Sequence, residues 1–188
     1  MKSILVVDNY DSFTYNLVYI VRKLGFSPTI WRNDKIILDD VNDFEKIILS
    51  PGPGIPSEAG LMPELIQKYA KTKSVLGVCL GHQAIGEAFG GTLVNLSEVY
   101  HGVSTTIEVN SKDKIFEGIP TSLKVGRYHS WVVDAGTFPS QLDITAKDQN
   151  GQVMALRHKN YNLAGLQFHP ESIMTEYGTE MISNWLSN

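Results

Sequence analysis

Residues 4–7, Ile-Leu-Val-Val, form an unbroken apolar run, the mark of a strand buried on both faces. Polar turn and cap residues follow at 8–12. From 13 to 24 apolar side chains recur at helical spacing (Phe13, Leu17, Val18, Ile20, Val21, Leu24), and Gly25 stands where a helix C-cap is expected. Residues 29–31 and 46–49 predict a second and a third strand. After a Pro/Gly-rich loop, 62–70 reads as a helix. Residues 74–78 predict another buried strand, and 81–89 a helix closed by Gly90-Gly91. Strand and helix thus alternate through the first ninety residues, the signature of βαβ units and a parallel sheet.

The pattern then changes. Residues 105–109, 123–125 and 142–146 are β-rich with no long helical pattern between them. Asn150-Gly151 separates 144–148 from 153–156, the strongest short hairpin signal a sequence offers. Residues 163–168 predict a further strand and 177–186 a closing helix. The expectation is an α/β fold: a mostly parallel open sheet plus a small antiparallel β extension.

Composition sets limits on function. With 16 basic and 20 acidic side chains in 188 residues the formal net charge is −4. That argues against a nucleic-acid binder working by phosphate neutralisation, and aromatic residues do not interleave with basic ones as on a base-stacking surface. The length suits one domain, 1–188, able to bury about 70% of its unfolded surface without disulfide or metal. The opening Met1-Lys2-Ser3 and the short apolar run after it lack the long apolar core and small-residue cleavage site of a signal peptide. No apolar stretch approaches the ~20 residues of a membrane span. A cytoplasmic protein meeting neither membrane nor nucleic acid is expected. His82, His101, His129 and His158 show no metal-ligand spacing, so neither metal nor cofactor is expected, and His82 reads as a locally packed helix-start residue.

One cysteine, Cys79, is present, and an intramolecular disulfide is impossible. Lone cysteines are commonly small buried hydrophobes, but the context of this one points elsewhere. Gly77-Val78-Cys79-Leu80-Gly81 lies between an apolar strand and a helix, the nucleophile-elbow pattern with cysteine in place of serine. A sharp strained turn needs glycine two positions to either side, where a side chain would strike the neighbouring strand or helix. The turn also sets the sulfur at a helix N-terminus, whose dipole favours an anion.

A base is available downstream. His169-Pro170-Glu171 follows the last predicted strand, and alternate residues of an extended segment can face the same way. Glu171 can then hold the His169 imidazole in one tautomer with its other nitrogen toward Cys79, the nucleophile–base–orienter arrangement of acyl transfer. Oxyanion donors are also needed. The Leu80 amide is one candidate. The other should come from Ser50-Pro51-Gly52-Pro53-Gly54, at the carboxyl end of a neighbouring strand, where prolines stiffen the loop and glycines permit close approach.

Gly77-Val78-Cys79-Leu80-Gly81-His82-Gln83, with Ser50-Pro51-Gly52-Pro53-Gly54 and Phe168-His169-Pro170-Glu171-Ser172, resembles the triad-type (class I) glutamine amidotransferases over essentially the whole chain. Asp8-Asn9-Tyr10-Asp11-Ser12-Phe13-Thr14-Tyr15-Asn16 narrows the resemblance to the small subunits of chorismate-using synthases. The resemblance implies a flavodoxin-like sheet with helices on both faces. It implies Cys79 as nucleophile, His169 as base and acid, Glu171 as orienter, and the amides of Gly52 and Leu80 as the oxyanion hole. It implies glutamine contacts at Gly52, Pro53, Gly54, Gln83, Ser130 and Trp131. Two positions depart from the family pattern: Trp131 stands where Leu is more usual and Val103 where Lys is more usual.

The activity so implied is hydrolysis of L-glutamine through a cysteine thioester, with ammonia delivered to a large chorismate-binding subunit. Likeness around Pro51-Gly52-Pro53-Gly54-Ile55-Pro56 favours anthranilate synthase, of tryptophan biosynthesis. The alternatives are aminodeoxychorismate synthase, of folate biosynthesis, or a subunit shared by both. Remoter rivals are a γ-glutamyl hydrolase or cysteine peptidase, and a non-catalytic regulatory subunit. Residues Asp8, Asn9, Tyr10, Asp11, Ser12 and Phe13 are expected at the partner interface, because α/β sheets place their sites at strand carboxyl ends.

Overall fold

The computed structural model describes residues 3–188. Met1 and Lys2, part of the N-terminal stretch considered above, lie outside the described residues. The elements run β1 (Ile4–Asp8), α1 (Thr14–Lys23), β2 (Thr29–Arg32), β3 (Lys46–Leu49), α2 (Met62–Tyr69), β4 (Ser74–Val78) and α3 (Leu80–Ala88). Then come β5 (Leu93–Asn95), β6 (Val103–Val109), β7 (Ser122–Arg127), β8 (Trp131–Val133), β9 (Leu142–Asp148), β10 (Val153–His158), β11 (Leu163–Leu166) and α4 (Gly178–Ser187).

The main sheet has nine strands in the order β2-β1-β3-β4-β11-β10-β9-β6-β7. The first five are parallel and the rest join antiparallel, so the mostly parallel core and its antiparallel extension form one continuous sheet. Alternate side chains of each buried strand serve opposite faces. Ile4, Val6, Ile48, Leu76 and Val78 pack with α1 and α4 on one side. Leu5, Val7, Ile47, Leu49 and Val75 pack with α2 and α3 on the other. Helices therefore cover both faces, as expected.

The Asn150-Gly151 turn joins β9 to β10, with Gly151 at φ 77° and its amide donating to the Asp148 carbonyl at 3.0 Å. Two features differ from the sequence reading. A second sheet, β5 paired antiparallel with β8, was not anticipated; its strands have three residues each, too short for a period-2 signal. The last strand ends at Leu166, before the expected 168, because the chain turns there to carry Gln167 and His169 across the carboxyl ends of the parallel strands.

Candidate active site

β4 delivers its carboxyl end to a sharp turn at Cys79, with φ 51° and ψ −99°, and α3 begins at the next residue. Only a confined backbone can hold a non-glycine residue there. The confinement is visible on both sides. A Cβ on Gly77 would lie 2.4 Å from the carbonyl carbon of Gly81, and a Cβ on Gly81 would lie 2.5 Å from the carbonyl oxygen of Leu49 on β3. The two glycines let helix and strand close over the turn, and the Cys79 amide donates to the Leu166 carbonyl at 2.8 Å, fixing the elbow to β11.

His169 lies beyond β11, its amide bonded to the Gly126 carbonyl of β7 at 3.0 Å. Nδ1 of His169 donates to Oε1 of Glu171 at 2.7 Å, with both side chains buried. This pairing comes from a turn and not from the extended segment expected from the sequence: the Ser172 amide donates to the His169 carbonyl at 3.2 Å, with Pro170 and Glu171 at the central positions. Nε2 of His169 has no hydrogen bond of full geometry within the protein. Burial alone would lower the imidazole pKa, but hydrogen bonding and charge from Cys79 and Glu171 outweigh it and raise the pKa to about 10. His169 therefore holds its proton at neutral pH.

One residue beside the candidate nucleophile has no signal in the sequence. Gln167, fully buried, donates from Nε2 to the Cys79 sulfur at 3.7 Å. Its orientation is fixed by a relay. Gln83 donates from Nε2 to the Trp131 carbonyl at 2.8 Å and to Oε1 of Gln167 at 3.1 Å. A carbonyl can only accept, so Gln83 must present its NH2 group, and Gln167 must turn its own NH2 toward sulfur. With both of its N–H groups engaged, Gln83 has Oε1 left to offer a substrate.

The relay continues inward. His129 donates from Nδ1 to the same Trp131 carbonyl at 2.9 Å and accepts at Nε2 from Nε of Arg127 at 3.1 Å. Arginine can only donate, so His129 is neutral. Burial first, then the Arg127 charge, pushes its pKa down to about 3. Arg127 is buried, paired with Asp148 at 2.8 Å, and stacked on Tyr100 at 3.6 Å from the ring centroid. His82 is fully buried beside Gly165, and burial lowers its pKa to about 4, in keeping with local packing.

The loop after β3 passes beside the elbow. A Cβ on Gly52 would lie 2.7 Å from Leu80 Cδ2 and 2.6 Å from Asn9 Cβ, so the two expected oxyanion residues are adjacent. Gly54 has φ 73°, with the Glu58 carboxylate folded against it. Gly52, Pro53, Gly54, Gln83, Ser130 and Trp131 all line one cavity of about 200 Å³ that opens on Cys79. Val99, Tyr100, His101, Tyr128 and His129 complete its wall; they come from the loop before β6 and the β7–β8 connection, and no local motif marks them. Trp131 takes part in the relay through its backbone carbonyl, which any residue supplies. Val103, at the start of β6, is partly exposed and is not among the cavity residues. Of the six residues expected at a partner interface, Tyr10 and Ser12 are exposed, Asp11 and Phe13 half-buried, and Asp8 and Asn9 buried. Among the described residues no group of three or more His, Cys, Asp or Glu side chains could hold a metal ion, and no helix is long and apolar enough to cross a membrane.

The family described as glutamine amidotransferase class-I matches residues 5–188. Anthranilate synthase component 2 of Pyropia yezoensis is 45% identical over 97% of this chain and 98% of that protein. Aminodeoxychorismate/anthranilate synthase component 2 of Bacillus subtilis is 44% identical over 97% of this chain and 95% of its own length. Among solved structures, a Thermoplasma acidophilum protein proposed to be part of a GMP synthase superposes with a TM-score of 0.89 at 28% identity, covering 100% of this chain and 93% of that one.

Proposed function

Because this chain belongs to the class-I glutamine amidotransferases, we propose that it hydrolyses L-glutamine through a thioester on Cys79 and passes the ammonia to a chorismate-using synthase subunit. The observation that carries this reading is the convergence on one sulfur of the strained elbow, the His169–Glu171 pair at 2.7 Å and a cavity of about 200 Å³. That volume is below the ~300–1,000 Å³ of drug-sized ligand sites, which suits a single amino acid better than the peptide of a cysteine peptidase.

In the proposed reaction the Cys79 thiolate attacks the side-chain amide carbon of glutamine. The amides of Gly52 and Leu80 take the oxyanion. His169, carrying the proton, delivers it to the departing ammonia and leaves a thioester. The neutral imidazole then takes a proton from water, the hydroxide attacks the thioester, and glutamate departs as the thiolate is restored. Glu171 holds the imidazole in the tautomer both steps require.

Ammonia released into water is protonated and lost as a nucleophile, so a docked acceptor is the physically sensible partner. The relatives' designation as component 2 of a synthase supports such a subunit. The exposed Tyr10 and Ser12, at the carboxyl edge of the sheet, belong to the face it meets. Anthranilate synthase is the assignment we favour, with aminodeoxychorismate synthase the alternative; relatives bear either name, and one bears both.

The test is to add glutamine and chorismate to the chain with each synthase subunit, while trapping the Cys79 adduct for mass spectrometry. A glutamyl thioester and anthranilate are expected. Ammonia release absent with either subunit would overturn the glutaminase assignment, and aminodeoxychorismate as the sole product would overturn the choice of synthase.

A further inference from the structure

The turn joining β1 to α1 touches both halves of the catalytic arrangement. At one end Asn9, 2% exposed, forms the bed of the oxyanion loop. Its backbone amide donates to Ser50 Oγ at 2.9 Å and its Nδ2 donates to the Ser50 carbonyl at 2.8 Å. Its Oδ1 accepts from Asn33 Nδ2 at 3.1 Å, which fixes the amide's orientation. The Cβ and carbonyl oxygen of Asn9 lie 2.6 and 2.9 Å from where a Cβ on Gly52 would stand, so Gly52 rests directly on this residue.

At the other end the Phe13 ring meets the His169 imidazole edge to face, centroids 5.2 Å apart at 71°. Tyr128 meets the same imidazole at 4.8 Å and Phe13 at 4.9 Å, so the two rings flank the base. Between the two ends the turn is stiff. Tyr10 is held at φ 61°, a costly region for a side chain of its size. Asp8 Oδ1 accepts from the Tyr10 amide and from Thr14 Oγ1, both at 3.0 Å, and Asp11 Oδ1 accepts from the Phe13 amide at 2.7 Å.

We infer that this turn is a two-ended brace in which Asn9 and Phe13 are positioning residues, Asn9 setting the Gly52 amide for the oxyanion and Phe13 holding the His169 imidazole in line with Cys79. Neither touches the reacting atoms. Tyr10 and Ser12, exposed between them, make the brace reachable from outside. The inference rests on the glutaminase reading above.

The two ends can be separated by chemistry. Alkylation of Cys79 by iodoacetamide needs the thiolate and its imidazolium partner but forms no oxyanion, whereas glutamine hydrolysis needs both. Asn9→Ala should lower kcat for glutamine about tenfold or more, by the scale of a weakened oxyanion donor. KM and the alkylation rate should stay within twofold of wild type. Asn9→Asp, of the same shape but without the Nδ2 donor, should do the same and covers the case in which the alanine variant fails to fold. Phe13→Ala should slow alkylation and hydrolysis together by about tenfold, the lower part of the range for general acid–base assistance, and Phe13→Tyr should restore both.

Assays use the wild-type chain and each variant with the synthase subunit present, and melting temperature is recorded alongside. A folded Asn9 variant with wild-type kcat would overturn the inference. So would losses of kcat and alkylation that simply track melting temperature. Failure of the glutaminase reading looks different: wild type would then alkylate normally and release no ammonia from glutamine.

Discussion

Gln167 donates its amide N–H to the sulfur of Cys79 across 3.7 Å, and its orientation leaves no alternative, because Gln83 occupies its Oε1. An N–H aimed at a thiolate stabilises the nucleophile in the form that reacts. Hydrogen bonds to charged groups contribute about 1.5–3 kcal/mol, so Gln167→Leu should slow glutamine hydrolysis and Cys79 alkylation about 10–100-fold. Gln167→Glu, which sets a carboxylate against the sulfur, should be worse. Stopped-flow alkylation at neutral pH reads the effect, and an unchanged rate in Gln167→Leu would remove this residue from the site.

Glu171 holds His169 through Nδ1 at 2.7 Å. Glu171→Gln keeps the shape but removes the charge that raises the imidazole pKa and fixes its tautomer. The expected loss in kcat is about 10²–10⁴-fold, the span of general acid–base assistance, with KM for glutamine little altered. A steady-state kcat within threefold of wild type would contradict the triad.

The elbow makes a steric prediction. Gly81→Ala would place its Cβ 2.5 Å from the Leu49 carbonyl oxygen, an immobile backbone atom. Overpacking of this kind costs about 1–3 kcal/mol or more, and the shift should carry Cys79 out of line and abolish glutaminase activity. Gly118→Ala, at φ 75° with nothing within 4 Å, also strains the backbone but should leave activity intact. Urea midpoints and ammonia release on both variants check the contrast.

Two neutral histidines make the fold acid-sensitive. His82 and His129 have folded pKa values of about 4 and 3, below the ordinary 6.5. Below pH 6.5 the unfolded chain binds protons that the folded one refuses, so stability falls with pH until each folded value is reached. At pH 5 the loss is about 2 kcal/mol per histidine. His169, raised to about 10, acts oppositely: its contribution is fully present below 6.5 and disappears only in alkali. The urea midpoint should therefore drop between pH 7 and pH 5, and less so in His82→Leu, which cannot take up the proton. Equal midpoints at the two pH values in wild type would contradict this account.

Asp148 anchors the far end of the relay through Arg127, with side chains 4% and 1% exposed. Removing one member of a buried pair strands the other, at about 3–5 kcal/mol. Asp148→Leu should lose that much stability and raise KM for glutamine, since Arg127 sets His129, and His129 shares the Trp131 carbonyl with Gln83. Denaturant unfolding and steady-state kinetics would show both, and an unchanged KM in a folded variant would detach the relay from the substrate wall.

The features legible in the chain are those whose physics is local. Short apolar runs placed β1, β3 and β4, and period-3.6 patterning placed α1, α2 and α3, within a residue or two of their bounds. The elbow was legible because Gly77-Val78-Cys79-Leu80-Gly81 is one contiguous string between an apolar strand and a helix; Gly77 answers a collision within that unit and Gly81 one with Leu49 of the adjoining strand. His169 and Glu171 could be paired because they are only two positions apart, although the structure brings them together through a turn and not through the extended segment expected. Gln167 could not be found this way, since it meets Cys79 across 88 positions, and only the pairing of β11 beside β4 brings them together. The same holds for His129, Arg127 and Asp148, and for Asn9 beneath Gly52. Sequence by itself singled out Cys79 and His169 as the candidate nucleophile and base and determined the layered α/β architecture. Tertiary structure decided what orients them, because a buried polar group's partner is set by which strands and loops adjoin, and neither spacing nor hydropathy encodes that adjacency.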